Sequence, residues 1–194
     1  MRITGDPALA GVLEGCRADR RGADLALVEA ASAIAPACRA MAERFRSGGR
    51  LLAFGQGLAA VDAQHIAVEF LHPVIVGTRA LSAQALAHDG TIDDGFSAPL
   101  LAFGHARDIA LGLCLDGSSP SVARGLRTAR ARGMLTVALA GGGGDRAVAG
   151  AAEHAIVLDA HGPLAVREAL VTTYHVLWEL VHVFLERPLG VRAS

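Results

Sequence analysis

Lysine and asparagine are both absent from the 194-residue sequence, so all 18 basic residues are arginines. Codon bias in a GC-rich genome explains that pattern, and an arginine at any one position is therefore a weak sign of function. Charged residues make up 19% of the chain, against about 25% in ordinary soluble domains. The net charge of −1 offers no overall attraction to nucleic acid or to an acidic membrane.

Cysteine is scarce as well. Cys16, Cys38 and Cys114 are odd in number and lack metal-type spacing, which excludes a disulfide framework and a zinc knuckle and indicates a reducing compartment. The N-terminus lacks the charged region and apolar core of a signal peptide, and no apolar run approaches the roughly 20 residues that cross a bilayer. These absences predict a cytoplasmic protein without a membrane or nucleic-acid partner.

Apolar residues are plentiful, at 52% of the chain, which is enough to build one sizeable core. Residues 6–47 repeat apolar side chains at a period near 3.6, and this predicts a long helix that stops at 47–49, Ser-Gly-Gly. Short apolar runs then alternate with amphipathic segments. We therefore divide the chain into an N-terminal helical extension, 1–48, and a domain, 49–194.

Strands and helices alternate through the predicted domain. The predicted strands cover 50–55, 80–87, 108–115, 134–140 and 154–160. The predicted helices cover 58–71, 95–104, 120–133, a short segment after four glycines at 141–144, and 163–186. Nearly unbroken apolar strands between helices indicate a parallel sheet covered on both faces, a doubly wound α/β sandwich. Its ligands would lie beyond the carboxyl ends of the strands, at the turns 55–60, 115–120 and 140–145.

Two of these turns have the composition of ligand-binding loops. Gly55, Gln56 and Gly57 form a Gly-x-Gly turn between a strand and a helix, although the third glycine of a dinucleotide site is missing. The second turn, Asp-Gly-Ser-Ser-Pro at 116–120, follows a strand and precedes a helix, as in a phosphate cradle. Packing alone also explains the first turn, and helix capping by Ser119 also explains the second.

Titratable side chains recur at helical spacing. His65 and Glu69 are four residues apart on one predicted helix, and His175 and Glu179 repeat that spacing on the last helix. Such a pair suits metal binding or acid–base chemistry, but it also suits a partly exposed ion pair. The last helix also carries Tyr174 and Trp178, which favours a surface or interface stripe as a second interpretation.

Together these segments resemble the phosphoheptose isomerases, members of the SIS (sugar isomerase) domain group. GQGLAAVDAQHIAVEF is similar to their first motif, and CLDGSSPSV to their Ser-Thr-Ser-Gly-Asn-Ser cradle. RGMLTVALAGGGG and VREALVTTYHVLWELV are similar to a later segment and to the closing helix. The resemblance spans about residues 20–186, in order.

The resemblance implies the SIS fold, a five-stranded parallel doubly wound sandwich with an N-terminal helical extension. It further implies a homotetramer with sites at subunit interfaces, and aldose–ketose isomerisation of a sugar phosphate through an enediol. Glu69 and His175 match the proton-transferring pair, and His65 joins them as a zinc-ligand set in some members. The matched substrate-binding residues are Gly55, Gln56, Gly57, Asp116, Gly117, Ser118, Ser119 and Arg167.

The sequence departs from the family where phosphate is held. Positions that carry hydroxyl side chains in the family are here Ala59, Cys114, Leu115, Asp116 and Leu164. A carboxylate about 4 Å from a phosphate costs on the order of 1 kcal/mol in water and about 4 kcal/mol at an effective dielectric constant near 20. Arg167 stands where the family has a neutral metal-side glutamine. We predict that it replaces the metal's charge or pairs with an acid such as Asp116 or Glu69.

The sequence therefore predicts a divergent phosphoheptose-isomerase-like protein that binds a sugar or sugar-phosphate derivative. The alternative is a non-catalytic SIS tetramer that acts through protein partners, like the bacterial replication-initiator-associating protein. An exposed apolar patch outside the tetramer contacts would favour that alternative. A sugar sensor of the kind attached to transcription regulators ranks last, because no helix-turn-helix segment or basic stripe is visible.

Overall fold

The protein is described by a computed structural model over residues 6–75, 77–87, 95–142 and 146–186. The helices are α1 (Pro7–Arg46), α2 (Leu58–Leu71), α3 (Ser97–Phe103), α4 (Pro120–Ala131), α5 (Ala147–Ala151) and α6 (Pro163–Glu186). The strands are β1 (Leu51–Gly55), β2 (Ala83–Ala85), β3 (Ile109–Cys114), β4 (Leu135–Gly141) and β5 (His154–Leu158). The predicted order of elements is confirmed throughout these ranges.

The five strands form one sheet in the order β2-β1-β3-β4-β5, and every neighbouring pair is parallel. Helices α1, α2 and α6 cover one face, while α3, α4 and α5 cover the other. The predicted five-stranded, doubly wound parallel sandwich is thus confirmed. From β1 the chain adds β2 on one side, and it then adds β3, β4 and β5 on the other side. The direction in which strands are added therefore reverses between β1 and β3, which is the switch point of the sheet.

Burial on both faces explains why the strands are apolar without alternation. Along β1, Leu51 and Ala53 belong to the core cluster under α1, α2 and α6. Leu52 and Phe54 belong to the separate cluster under α3 and α4. Since successive side chains of a strand point to opposite faces, a strand buried on both sides needs an apolar residue at each position.

Helix α1 begins after Asp6, whose carboxylate accepts a hydrogen bond from the Ala8 N–H at 2.9 Å. By length and composition alone, α1 is apolar enough to cross a membrane, contrary to the expectation that no segment of the chain would be. A helix that packs into the core of a protein passes the same test. The buried side of α1, which includes Ala37 and Met41, packs along α6 and against β5.

One predicted strand is shorter than expected, and one predicted turn lies partly outside the described residues. Strand β2 has three residues instead of the eight predicted, and it pairs with β1 alone at one edge of the sheet. The four-glycine turn lies partly outside the described residues, since 143–145 are not among them.

Candidate active site

A cleft of about 680 Å³ opens at the carboxyl ends of β1 and β3, where the winding of the sheet reverses. Open parallel sheets bind their ligands at this position. Both turns singled out in the sequence meet here. The described lining residues are Gln56, Gly57, Leu113, Cys114, Leu115, Asp116, Ser118, Ser119, Pro120 and Pro163.

The Gly-x-Gly turn needs its glycines for two different reasons. A Cβ atom on Gly55 would lie 2.8 Å from the backbone oxygen of Ala59, so only glycine fits under the first turn of α2. Gly57 has a φ of +59°, a conformation that other residues rarely adopt. Between them, the exposed Gln56 accepts a hydrogen bond from the Ser119 hydroxyl at 2.7 Å through Oε1. This bond joins the turns after β1 and β3.

Asp116 turns back onto its own loop. Its Oδ1 accepts hydrogen bonds from the Ser118 backbone N–H at 3.0 Å and from the Cys114 thiol at 3.2 Å. These bonds, the backbone N–H first, hold the pKa of Asp116 below its usual value, so the exposed carboxylate is ionised at neutral pH. Burial raises the pKa of Cys114, and the thiol remains a protonated donor.

The start of α4 agrees with the sequence prediction. Ser119 is the N-cap, Pro120 is the first helical residue, and the Ser119 hydroxyl oxygen accepts from the Val122 N–H at 3.4 Å. The Ser119 N–H donates to the Cys114 sulfur at 3.5 Å. The geometry of a cradle is therefore present, and its N–H groups bond to groups of the chain itself.

A second polar cluster lies between α2 and α6. The Glu69 Oε1 atom is 3.1 Å from Nε2 of His65 and 4.0 Å from Nε2 of His175. The two imidazole rings meet edge to face, with centroids 5.3 Å apart. The structure thus brings together the three residues matched as acid–base and metal residues, although they come from helices about 100 positions apart.

The Tyr174 side chain contacts this cluster through His65. Its buried hydroxyl lies 2.8 Å from Nδ1 of His65, in hydrogen-bond contact. Burial raises the pKa of Tyr174 to about 12, which keeps the phenol protonated. The interpretation of Tyr174 and Trp178 as a surface stripe is wrong, because both side chains are buried within the chain. Sequence spacing could not reveal the contact, since His65 lies on another helix.

Arg167 forms a forked ion pair with Asp62, a residue that the sequence analysis missed. Its Nε and terminal NH2 groups donate to the two carboxylate oxygens at 3.2 and 3.0 Å. The prediction that Arg167 pairs with an acid is therefore confirmed, but the acid is Asp62, and not Asp116 or Glu69, the two examples given from the sequence. Asp62 lies three residues before His65 on the same face of α2, and this spacing was the available signal. The pairing neutralises the guanidinium charge beside the cluster.

We expect Arg167→Gln to lower the free energy of unfolding by about 2 kcal/mol, because hydrogen bonds to a charged group contribute about 1.5–3 kcal/mol. The Asp62 side chain is 4% exposed and cannot turn to water, whereas Arg167 is 31% exposed and can. Asp62→Asn should therefore cost less than Arg167→Gln. Denaturant unfolding of both single variants and the double variant measures the coupling. Additive losses would contradict an energetic role for the pair.

The three-residue cluster has the composition and spacing of a catalytic zinc site. Two histidines and a glutamate form a known ligand set that leaves one position open. Their ligand atoms all lie within 4.8 Å of one another. Tetrahedral bonds of about 2.0–2.1 Å place ligand atoms roughly 3.3 Å apart, so small side-chain movements would suffice. The Tyr174 contact supplies the outer partner that a ligating histidine ordinarily has.

The cradle and the cluster lie at adjoining clefts. A second cleft of about 410 Å³ runs along the seam between α2 and α6 and is lined by Asp62, His65, Arg167 and Tyr174 among others. Its lining includes Leu164, while Pro163 lines the cleft at the cradle. The two clefts therefore approach each other at the start of α6, and His65 is the member of the cluster among the described residues that line the second cleft.

The fold and this site define a doubly wound α/β protein with a cleft at its switch point and a cluster of two histidines and a glutamate between α2 and α6. The SIS domain family matches residues 22–141, and the chain belongs to that family. It is 35% identical over 161 residues to a phosphoheptose isomerase from Chlorobaculum parvum, covering 76% of this chain and 77% of that isomerase. This similarity makes the chain phosphoheptose-isomerase-like within the family.

Solved structures agree on the fold. A phosphoheptose isomerase from Neisseria gonorrhoeae superposes with a TM-score of 0.77 at 24% identity, over 89% of this chain and 98% of that one. A phosphoheptose isomerase from Francisella tularensis gives a TM-score of 0.78 at 22% identity, over 92% of this chain and 100% of that one.

Proposed function

We propose that the protein is an aldose–ketose isomerase that acts on a sugar derivative through an enediol. The observation that carries this proposal is the cluster of Glu69, His65 and His175, which the fold assembles beside the cleft. A purely structural seam would not need three titratable side chains around one partly open space. The similarity to phosphoheptose isomerases supports the same reaction class.

Glu69 is the base that takes the proton from the carbon next to the carbonyl. Its side chain is 16% exposed, against 44% for each histidine, so its carboxylate lies deepest in the cluster. His175 supplies a proton to the neighbouring oxygen and later recovers it, because its ring reaches both Glu69 and solvent. His65, fixed by Tyr174 on one side and Glu69 on the other, positions the carboxylate.

Zinc is an alternative occupant of the cluster: His65, Glu69 and His175 would hold it, and the atoms that bind zinc would then not transfer protons. When bound, it would supply a Lewis acid that polarises the substrate carbonyl. We expect calorimetry to detect zinc binding by the unaltered protein and a loss of that binding in His65→Ala. His105→Ala, a histidine away from the cluster, is the matched control. Equal zinc affinity in both variants would place the metal elsewhere.

We also propose a cytoplasmic homotetramer. Exposed apolar side chains follow one face of α2 beside His65: Leu58 is 51% exposed, Val61 53% and Val68 52%. Burying these side chains against another copy of the chain would stabilise the assembly and cover the site's mouth. Light scattering coupled to gel filtration measures the mass, and a monomer at micromolar concentration would contradict this part of the proposal.

Solvent exchange is the experiment that tests the reaction itself. The protein is incubated in D2O with ketoses of five to seven carbons, each with and without a terminal phosphate. Proton NMR then follows deuterium at the carbon next to the carbonyl. An enediol intermediate exchanges that proton even where the equilibrium yields little product. Folded protein that exchanges no proton in any of these sugars would overturn the proposal.

The second candidate is a non-catalytic protein that acts through partners. The same exposed face of α2 favours it, because that face could receive a different protein instead of another copy. The two measurements together distinguish the candidates. A tetramer whose α2 face is covered, together with proton exchange, supports the isomerase. A protein with neither supports the second candidate.

A further inference from the structure

We propose that Asp116 serves as the built-in anion of the cradle, so that the cleft receives the uncharged, hydroxyl-bearing end of a sugar rather than a phosphate. The inference rests on the proposed function and specifies its substrate class. It differs from a simple loss of phosphate ligands, because the cradle's own donors are bonded within the loop.

Three N–H groups at the start of α4 would ordinarily be available to an anion. The Ser118 N–H donates to the Asp116 carboxylate at 3.0 Å, and the Ser119 N–H to the Cys114 sulfur at 3.5 Å. The Val122 N–H donates to the Ser119 side chain at 3.4 Å. A phosphate would have to displace these acceptors, and one of them is a carboxylate that cannot leave.

Charge opposes phosphate still more strongly. Asp116 is exposed at the cleft, and the described residues that line this cleft include no basic residue to offset it. Phosphate carries nearly two negative charges at neutral pH. At a separation of about 4 Å, the repulsion for each unit of phosphate charge lowers affinity by about fivefold in water and by about a thousandfold at an effective dielectric constant near 20.

The groups that remain in the cleft suit neighbouring hydroxyls. The Asp116 carboxylate accepts hydrogen bonds, while the Gln56 amide N–H groups donate them, because Gln56 Oε1 already accepts from Ser119. A sugar hydroxyl both donates and accepts, so two adjacent hydroxyls can bond to both residues at once. An ammonium group could satisfy only the carboxylate, since it has no lone pair for the amide.

The test is calorimetric titration with sedoheptulose, sedoheptulose 7-phosphate and inorganic phosphate. Every protein carries Glu69→Gln, so that turnover is slowed by about a thousandfold and binding is read separately from catalysis. With Asp116 present, we expect sedoheptulose to bind at least about tenfold more tightly than its 7-phosphate. Asp116→Ser should tighten 7-phosphate binding by about a hundredfold and bring inorganic phosphate into the measurable range.

Asp116→Asn and Asp159→Asn complete the design. The first keeps a side-chain oxygen for the Ser118 N–H and removes the charge, and the second removes an exposed carboxylate outside the cleft. We expect part of the gain with Asp116→Asn and none with Asp159→Asn. Equal binding of both sugars with Asp116 present, no binding of either, or no gain in Asp116→Ser would overturn the inference. Absence of isomerase activity in the parent protein would leave these binding results unaffected.

Discussion

Replacing Glu69 by glutamine is expected to lower kcat/KM for the isomerisation by about a thousandfold, since a positioned general base contributes about 10²–10⁴-fold to the rate. Glutamine preserves the size of the side chain and can still bond to His65, but it cannot take a proton from carbon. Substrate binding should therefore survive while turnover falls. Steady-state kinetics with a substrate identified by solvent exchange measures the effect.

The matched control is Glu179→Gln, which removes an exposed carboxylate one turn beyond His175 on α6. We expect this variant to retain full activity. Far-ultraviolet circular dichroism and thermal unfolding establish that both variants are folded. Activity of Glu69→Gln within tenfold of the parent would mean that another group is the base, and the roles assigned to Glu69 and His175 would then be wrong.

The sequence predicts the fold well because the signals are local. Each strand is an apolar run bounded by a turn, and each helix has its own period, so burial on two faces follows from composition alone. Strand β2 is the exception. It lies at the edge of the described sheet, and three of the eight residues in the predicted run, 80–87, form the strand. Backbone hydrogen bonds of Ser82 and Leu86 extend its pairing with β1 by one residue at each end.

The site is predictable only where a motif fixes positions along one helix. His65 and Glu69 are four apart on α2, and their pairing follows from helix geometry. The bonds from Tyr174 to His65 and from Arg167 to Asp62 cross between helices that are more than 100 residues apart. Their register depends on how α2 and α6 pack on the sheet, which no local pattern encodes.

The cradle shows a different limit. Repulsion between Asp116 and a phosphate follows from the sequence, since a carboxylate replaces a hydroxyl there. That the carboxylate accepts the Ser118 N–H and the Cys114 thiol depends on side-chain conformation. These bonds hold the Asp116 carboxylate within the loop. Asp116→Ser should therefore free the Ser118 N–H for a ligand in addition to removing the repulsion.

Asp108→Ala is expected to lower the free energy of unfolding by about 1.5–3 kcal/mol, the usual contribution of hydrogen bonds to a charged group, because Arg50 is left partly exposed to water. Asp108 is 1% exposed and precedes β3. Its carboxylate accepts from the Arg50 backbone N–H at 3.0 Å, the Arg50 side chain at 2.7 Å and the His105 N–H at 3.0 Å. It thereby joins the starts of β1 and β3, and without it these partly buried donors lose their acceptor.

The same contacts give Asp108 a defined pH dependence. Burial alone would raise its pKa, but the Arg50 side chain and the two backbone N–H groups outweigh burial and hold the pKa below the usual value. Because the folded-state pKa is lower than the unfolded one, the stabilisation is fully present above about pH 4 and is lost as pH falls through the folded-state pKa. The stability difference between the parent and Asp108→Asn should therefore narrow below about pH 4.

Urea unfolding from pH 3 to 7 measures this difference, with Asp159→Ala as the control. Asp159 pairs with Arg146 at 4.0 Å, and its side chain is 63% exposed, so its loss should change stability by less than about 1 kcal/mol at every pH. If Asp108→Ala lost no more than Asp159→Ala, the link between β1 and β3 would have to be assigned to the strand ladder alone. A loss of the predicted size means instead that a single buried carboxylate stabilises the sheet at the end opposite the site.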